Sequence, residues 1–309
     1  MLRNFVTTMV LTLAVTAPAK GHGSSMNVSI NSNREVRTCG DIRIEFDTRP
    51  AARAEDAFTL AAGAPLQVRL PVNSGIRVVG GNRSDYAVTV CKAARRAEDL
   101  AGIRVTSQGS GLAFRGPSGD DWVAYLLVQA PRNAELDLDA RNGSIGVRGM
   151  TGRVTARTTN GPIGFEDCSG VLDAQAVNGP ISLEGCSGSG EARAVNGPID
   201  FNGNRGTYRL DTENGPISVE LQGDRWEDGN LTARADNGPL NLKLPESYGS
   251  GVIVEARGHG PVSCPSSICR AARRTFGDAD EGGRIEFGDS DPVVRLSTRN
   301  GPVSVERAD

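Results

Sequence analysis

The sequence predicts an all-β chain: a single parallel β-solenoid (β-helix) with turns of about 18 residues and an irregular N-terminal cap region. Three observations carry this. Asn142, Asn160, Asn178, Asn196 and Asn214 are each followed by Gly and lie 18 residues apart, with a looser continuation at Asn237, His259 and Asn300. Between these markers apolar and polar residues alternate with period two, as in strands with one buried face. The same residue types also recur at the same place in successive units. Copies repeated in one order stack as parallel strands, whereas a hairpin, the other structure an Asn-Gly can make, would reverse every second copy.

The chain opens with a leader. Arg3 precedes an apolar run, Phe5 to Val15, that is too short to span a bilayer. Ala17-Pro18-Ala19 is a small-x-small cleavage site, so residues 1–19 read as a signal peptide cut after Ala19. Export to the periplasm, the cell surface or the medium is the expectation, with no transmembrane segment after cleavage. Residues 20–59 form an N-terminal leader and cap. Within them "IRIEF" is a strand, and "RPAARAEDAFTLAAGAP" reads as a loop with a helical turn. Residues 60–132 are irregular solenoid turns. Asn73-Ser74-Gly75-Ile76 is a degenerate version of the later corner, and "WVAYLLVQAP" is a strand.

Residues 133–309 hold the regular repeats. One unit, Asn160 to Val177, shows the logic. Ile163 and Phe165 alternate with Gly164 and Glu166, and Leu172, Ala174 and Ala176 alternate with Asp173 and Gln175. Asn-Gly-Pro and Cys-Ser-Gly separate the two strands, and Gly, Asn and Pro are the residues of corners. Ile145, Ile163, Ile181, Ile199, Ile217, Leu240, Val262 and Val303 make one apolar column. Val147, Phe165, Leu183, Phe201, Val219, Leu242, Cys264 and Val305 make a second. Ala156, Ala174 and Ala192 imply a thin core, and Gly152, Gly170, Gly188 and Gly206 share a corner column. The stacked residues Asn142, Asn160, Asn178, Asn196, Asn214, Asn237 and Asn300 are expected to form a side-chain amide ladder. His259 is a substitute in that column. The 41 residues from His259 to Asn300 are read as one unmarked turn plus an insertion near 265–285. A right-handed coil follows from the usual crossover preference. The two open ends of such a stack make self-association an expectation.

Six cysteines in an exported chain suggest three disulfides. Cys168 and Cys186 occupy one corner column about 4.8 Å apart, within the Cα range of a disulfide. Cys264 and Cys269 close a local loop, and Cys39 and Cys91 pair by elimination.

Composition excludes several function classes. Without the leader, 33 basic residues face 37 acidic ones, a charge near −4 that argues against nucleic acid. Aromatics are only 5%, which suits a thin core. No nucleotide fingerprint or calcium nonapeptide is present, and the two histidines lie in the leader and in the Asn column. No cofactor, metal or catalytic residue is expected. Glu166 and Glu184 stack at a spacing that retaining glycosidases use, within the outward column Arg148, Glu166, Glu184, Asn202, Glu220 and Lys243. On a flat exposed sheet they read as a solvated mixed-charge face. The neighbouring column Gly146, Gly164, Ser182, Asp200, Ser218 and Asn241 is small and polar. Its Ser182, Asp200 and Ser218 form a candidate binding strip for a long partner, a glycan or an envelope protein.

The recurrent "NGPI" and "NGPV", the "G-x-V-x-A" strands and "APRNAELDLDARNG" resemble the bacterial putative-adhesin β-strand-repeat family, from about Trp122 to the C-terminus and weakly back to Leu66. The resemblance implies an exported domain of the cell envelope whose function is unknown. The function expected is structural or binding, adhesin-like and non-enzymatic. A carbohydrate-active β-helix enzyme and a self-assembling scaffold are the alternatives.

Overall fold

Period-two alternation with corners every few residues gives the chain two places to lay each unit, and it uses them in turn. A computed structural model describes residues 12–15, 26–30, 36–71, 73–258, 260–264, 267–270, 272–276, 282–288 and 290–308. The leader's cleavage site, His259 and parts of the expected insertion (265–266, 271 and 277–281) lie outside them. The protein is all-β. Among the described residues two long, mostly parallel sheets hold 12 and 13 strands, and a third, antiparallel sheet holds four.

Through the regular stretch, strands of four or five residues (Ile145–Arg148, Ile163–Glu166, Ile181–Glu184, Ile199–Gly203, Ile217–Leu221, Leu240–Leu244) form the short-strand sheet. Between them in sequence, longer strands (Leu136–Asn142, Arg153–Asn160, Val171–Asn178, Ser189–Asn196, Thr207–Asn214, Leu231–Asn237) form the long-strand sheet. Each strand pairs in parallel with its counterpart one repeat away, and the register is like on like: Ile145, Ile163, Ile181, Ile199, Ile217 and Leu240 are successive partners. Ile76 pairs with Ile145 and Leu66 with Leu136, so the degenerate Asn73 corner starts the same columns. The inner columns are almost fully buried and merge into one core.

The Asn-Gly-Pro corner is explained by its hydrogen bonds. Each Gly N–H donates to the next rung's Asn carbonyl, and each Ile N–H donates to the next rung's Pro carbonyl, as in Gly161 to Asn178 at 3.1 Å and Ile163 to Pro180 at 3.0 Å. The amide between them has nothing to donate to, and Pro removes it. The Gly carbonyl is left over. In three rungs a buried threonine hydroxyl donates to it: Thr158 to Gly143, Thr212 to Gly197 and Thr298 to Gly238. The asparagine ladder is continuous, each amide Nδ2 donating to the preceding Oδ1 at 2.8–3.2 Å from Asn160 onto Asn142 through Asn300 onto Asn237.

The ends differ from expectation. Asn300 was expected to mark a turn beyond His259. Instead Pro292–Asn300 lies between Leu231–Asn237 and Gly251–Ala256, and Val303–Arg307 lies between Leu240–Leu244 and Val262–Ser263. The later segment is threaded inside the earlier one. Arg273–Phe276 and Gly283–Phe287 then add antiparallel to the outer edge at Gly251–Ala256, so the segment read as an insertion is an edge cover.

At the other end, Trp122–Pro131 continues the short-strand sheet beyond Ile76–Gly81. Asp85–Ala94 and Ala52–Ala61 follow as antiparallel strands. Ala52–Ala61 is a ten-residue edge strand, not the expected loop with a helical turn, and exposed Arg53, Glu55 and Asp56 blunt its edge. Trp122–Pro131 is buried on both faces because a second core sits outside it. There Val36, Ile42, Ile44 and Phe46 pack on Cys91, Ala93, Val123, Tyr125 and Leu127. The small antiparallel sheet, Thr12–Val15, Met26–Ile30, Ile42–Phe46 and Arg49–Pro50, therefore stands against the outer face of the short-strand sheet.

Disulfides join Cys39 to Cys91 and Cys264 to Cys269, with Cα separations of 5.3 and 5.8 Å. Cys168 and Cys186 are buried thiols, against the expected third bridge. Directly stacked positions in a parallel sheet have parallel Cα–Cβ bonds. Their Cβ atoms stay a full strand spacing apart, about 4.8 Å, beyond the 3.5–4.5 Å of a disulfide. The Cys39–Cys91 bridge spans 52 residues, and loop-entropy reasoning gives it about 4 kcal/mol. Cys39→Ser with Cys91→Ser is expected to free residues 36–50 to proteolysis while the repeats stay resistant. Mass spectrometry of the fragments reads this directly, and an uncut 36–50 segment would contradict it.

Candidate binding groove

Outside the short-strand sheet the period of two places three residues of each rung in line: the corner proline, a small residue and a charged residue. Stacking turns these into three rails. The first is Pro162, Pro180, Pro198, Pro216 and Pro239. The third is Arg148, Glu166, Glu184, Asn202, Glu220 and Lys243. The floor between them is Gly146, Gly164, Ser182, Asp200, Ser218 and Asn241, in register. The expected strip of Ser182, Asp200 and Ser218 therefore exists as three consecutive floor positions. The surface is not the flat face the sequence suggested.

At its N-terminal end the groove deepens to a cavity of about 230 Å³. Gly146 and Gly164 make its floor, and Pro162 and Pro180 one wall. Glu166 and Glu184 make the other wall, and Val36, Tyr125 and Ser144 close the end. The depth comes from missing side chains. A Cβ on Gly164 would meet only the Ser182 hydroxyl, at 3.3 Å. Two members of the end wall, Val36 and Tyr125 of Trp122–Pro131, come from segments distant in sequence, so strip reasoning did not reach them.

Arg77 lies over Gly146, with Nη1 3.3 Å from where a Cβ there would be, and pairs with Glu166 at 3.3 Å. Arg148 shares Glu166 at 3.5 Å and reaches Asp167 at 3.3 Å. Arg77 Nε is buried with no partner among the protein atoms. The closed end thus offers a spare donor beside hydroxyls. Burial pushes the Tyr125 phenol up, and its hydrogen bond with Ser144 opposes that.

Two carboxyls on this face are displaced upward. Burial raises Asp200, with a hydrogen bond from Ser218 pulling back. Burial and then the charges of Glu166 and Asp167 raise Glu184. A carboxyl raised in the folded state contributes stability that is complete below its unfolded value and lost as pH rises through the folded value. Asp200→Asn mimics the protonated form. It is expected to raise the melting temperature at pH 7, with the gain gone near pH 3, below the ordinary aspartate value of about 3.9. A gain that does not change with pH would show that the charge is not the cause.

Glu166 is 37% exposed and tied to two arginines. Among the described residues no group of three or more His, Cys, Asp or Glu could hold a metal ion, and no helix is long and apolar enough to cross a membrane.

No family model matches the chain, and no curated protein does. Solved structures overlap it weakly. A putative adhesin from Bacteroides fragilis is 9% identical with a TM-score of 0.38, covering 82% of this chain and 97% of its own. A putative lipid binding protein from Parabacteroides distasonis is 9% identical with a TM-score of 0.43, covering 83% and 97%. A putative cell adhesion protein from Clostridium sporogenes is 10% identical with a TM-score of 0.23, covering 83% and 100%. Overlap at these scores carries no functional argument.

Proposed function

We propose that this chain is an exported β-solenoid of the bacterial envelope that binds an extended, hydroxyl-rich partner, a glycan, in the groove without turning it over. The observation that carries the reading is the set of three continuous rails ending in a walled notch. Half-buried prolines from Pro180 to Pro239 offer flat apolar contact along one side, the charged rail offers hydrogen bonds along the other, and glycines let a chain lie close. Arg77 Nε supplies an unused donor at the closed end. The leader and the cystines support export, to the periplasm or the cell surface. The solenoid form is supported by the alternation of successive strands between two sheets in like-on-like register.

The test is a binding screen of the whole protein against glycans and peptidoglycan fragments, alongside Gly164→Leu. That substitution fills the notch with a side chain whose first atom meets only a hydroxyl. Saturable binding lost in Gly164→Leu, with an unchanged melting temperature, supports the reading. Binding unaffected by Gly164→Leu, or no binding across the panel, overturns it. Turnover of a bound glycan that is lost in Glu166→Gln or Glu184→Gln would replace it with the carbohydrate-active alternative.

A further inference from the structure

The two thiols that do not form a disulfide have no part in the groove. Cys168 and Cys186 are 0% and 1% exposed. They stack directly: Ser187 N–H donates to the Cys168 carbonyl as Ser169 N–H donates to the Met150 carbonyl. Each follows a left-handed corner residue, Asp167 at φ 53° and Gly185 at φ 61°, which fixes both side chains to point the same way into the core. Each thiol donates to a carbonyl two residues back, Cys168 to Glu166 at 3.3 Å and Cys186 to Glu184 at 3.5 Å. Tyr208 and Phe201, 5.2 Å apart at their ring centroids, pack in the same part of the core.

The spacing that forbids the disulfide suits something else. Two metal–thiolate bonds of about 2.3 Å, end to end, span about 4.6 Å, close to the strand spacing of about 4.8 Å. Thiolates are the ligands that select soft cations. We infer that Cys168 and Cys186 form a buried two-coordinate site for a soft monovalent d10 cation of the Cu(I) or Ag(I) kind. Binding converts two S–H groups and one M⁺ into a linear S–M–S unit carrying one negative charge and releases two protons. The Cys168 thiol is held down to about 7 by the Cys186 hydrogen bond, with help from the main chain of Met150, while the same contact and burial push Cys186 up. Met150 occupies the preceding place in the column, but its sulfur lies at Gly80, 2.9 Å from where a Cβ there would be. The site is therefore the thiol pair and does not include the thioether.

Ag(I) is the probe, because it needs no reductant and leaves both cystines intact. The whole protein is unfolded in urea without reductant, refolded with excess Ag(I), desalted and analysed for silver per chain. The expected result is one Ag(I), two protons released per ion, and a higher melting temperature. Both the ion and the temperature shift should be lost in Cys168→Ser and in Cys186→Ser. A thiol titration of the denatured, unreduced protein must first find two thiols; none would mean that they are oxidised to each other and ends the proposal. Two silver ions per chain, none, or equal uptake by the double serine variant would also overturn it. Circular dichroism shows whether each serine variant is folded. If one is not, the proton count on the parent protein decides, since two thiols binding separately release one proton per ion.

Discussion

Gly197→Ala is expected to lower stability by about 3 kcal/mol or more, near the top of the range for overpacking. A Cβ at Gly197 would stand 2.2 Å from the Gly179 carbonyl oxygen. That oxygen cannot retreat, because Gly179 N–H is bonded to Asn196 and the Pro180 carbonyl accepts from Ile163. The same close approach recurs at Gly161, Gly179, Gly215, Gly238 and Gly301, at 2.0–2.2 Å, so the glycine column is where successive corners touch. At about 2–4 °C per kcal/mol the melting temperature should fall by roughly 10 °C. Gly164→Ala, in the groove floor, is the control and should stay within about 1 kcal/mol. Equal melting temperatures for the two variants would show that the corner yields and that packing does not require Gly there.

Removing residues 292–309 is expected to do more. If that segment were the last turn of a stack, its loss would leave a new end and little else changed. It lies between two other rungs, where Val294, Leu296, Val303 and Val305 are essentially buried, so deletion leaves a slot through both sheets. The 231–244 rung loses its partner on that side, and the 251–263 rung with its antiparallel cover loses the parallel pairing that joins it, among the described residues, to the ladders. Hydrogen exchange should show protection lost throughout 251–288 and weakened in 231–244, with residues 136–214 unchanged. A truncated protein that keeps protection at Val252 and Val254 would contradict the threading.

The repeats were legible because each column repeats one physical demand at one place. Asn bonds Asn, Gly clears the neighbouring carbonyl, Pro removes an unusable donor, and Ile fills the core. Rung order at the C-terminal end was not legible, because Leu240, Val262 and Val303 all meet the same demand and any two can be neighbours. One signal was available. Ile253 is apolar and buried in an outward column where other rungs carry Thr232 or Arg295, which marks that rung as unlike the repeats. Trp122 to Pro131 carried the same signal in its unbroken apolar run. The third disulfide failed because Cα spacing was considered without side-chain direction. The floor of the groove was visible in sequence as Ser182, Asp200 and Ser218. Its closed end was not, because Val36 and Tyr125, which meet Arg77 and Ser144 there, come from segments with no repeat marker.

The threaded rung also bears on the order of events in folding. Asn237 meets Asn300 across 63 residues, whereas its other neighbour in the ladder is 23 away. Closing so long a loop costs only slightly more entropy than closing a short one, but the contact cannot exist until the later segment arrives. Until then the 231–244 rung presents two bare strand edges, and the 251–263 rung, whose columns are of the same kind, can pair there in the wrong place. The position of residues 292–307 thus makes the C-terminal third a keystone assembly, in which the last piece delivered locks the pieces laid before it.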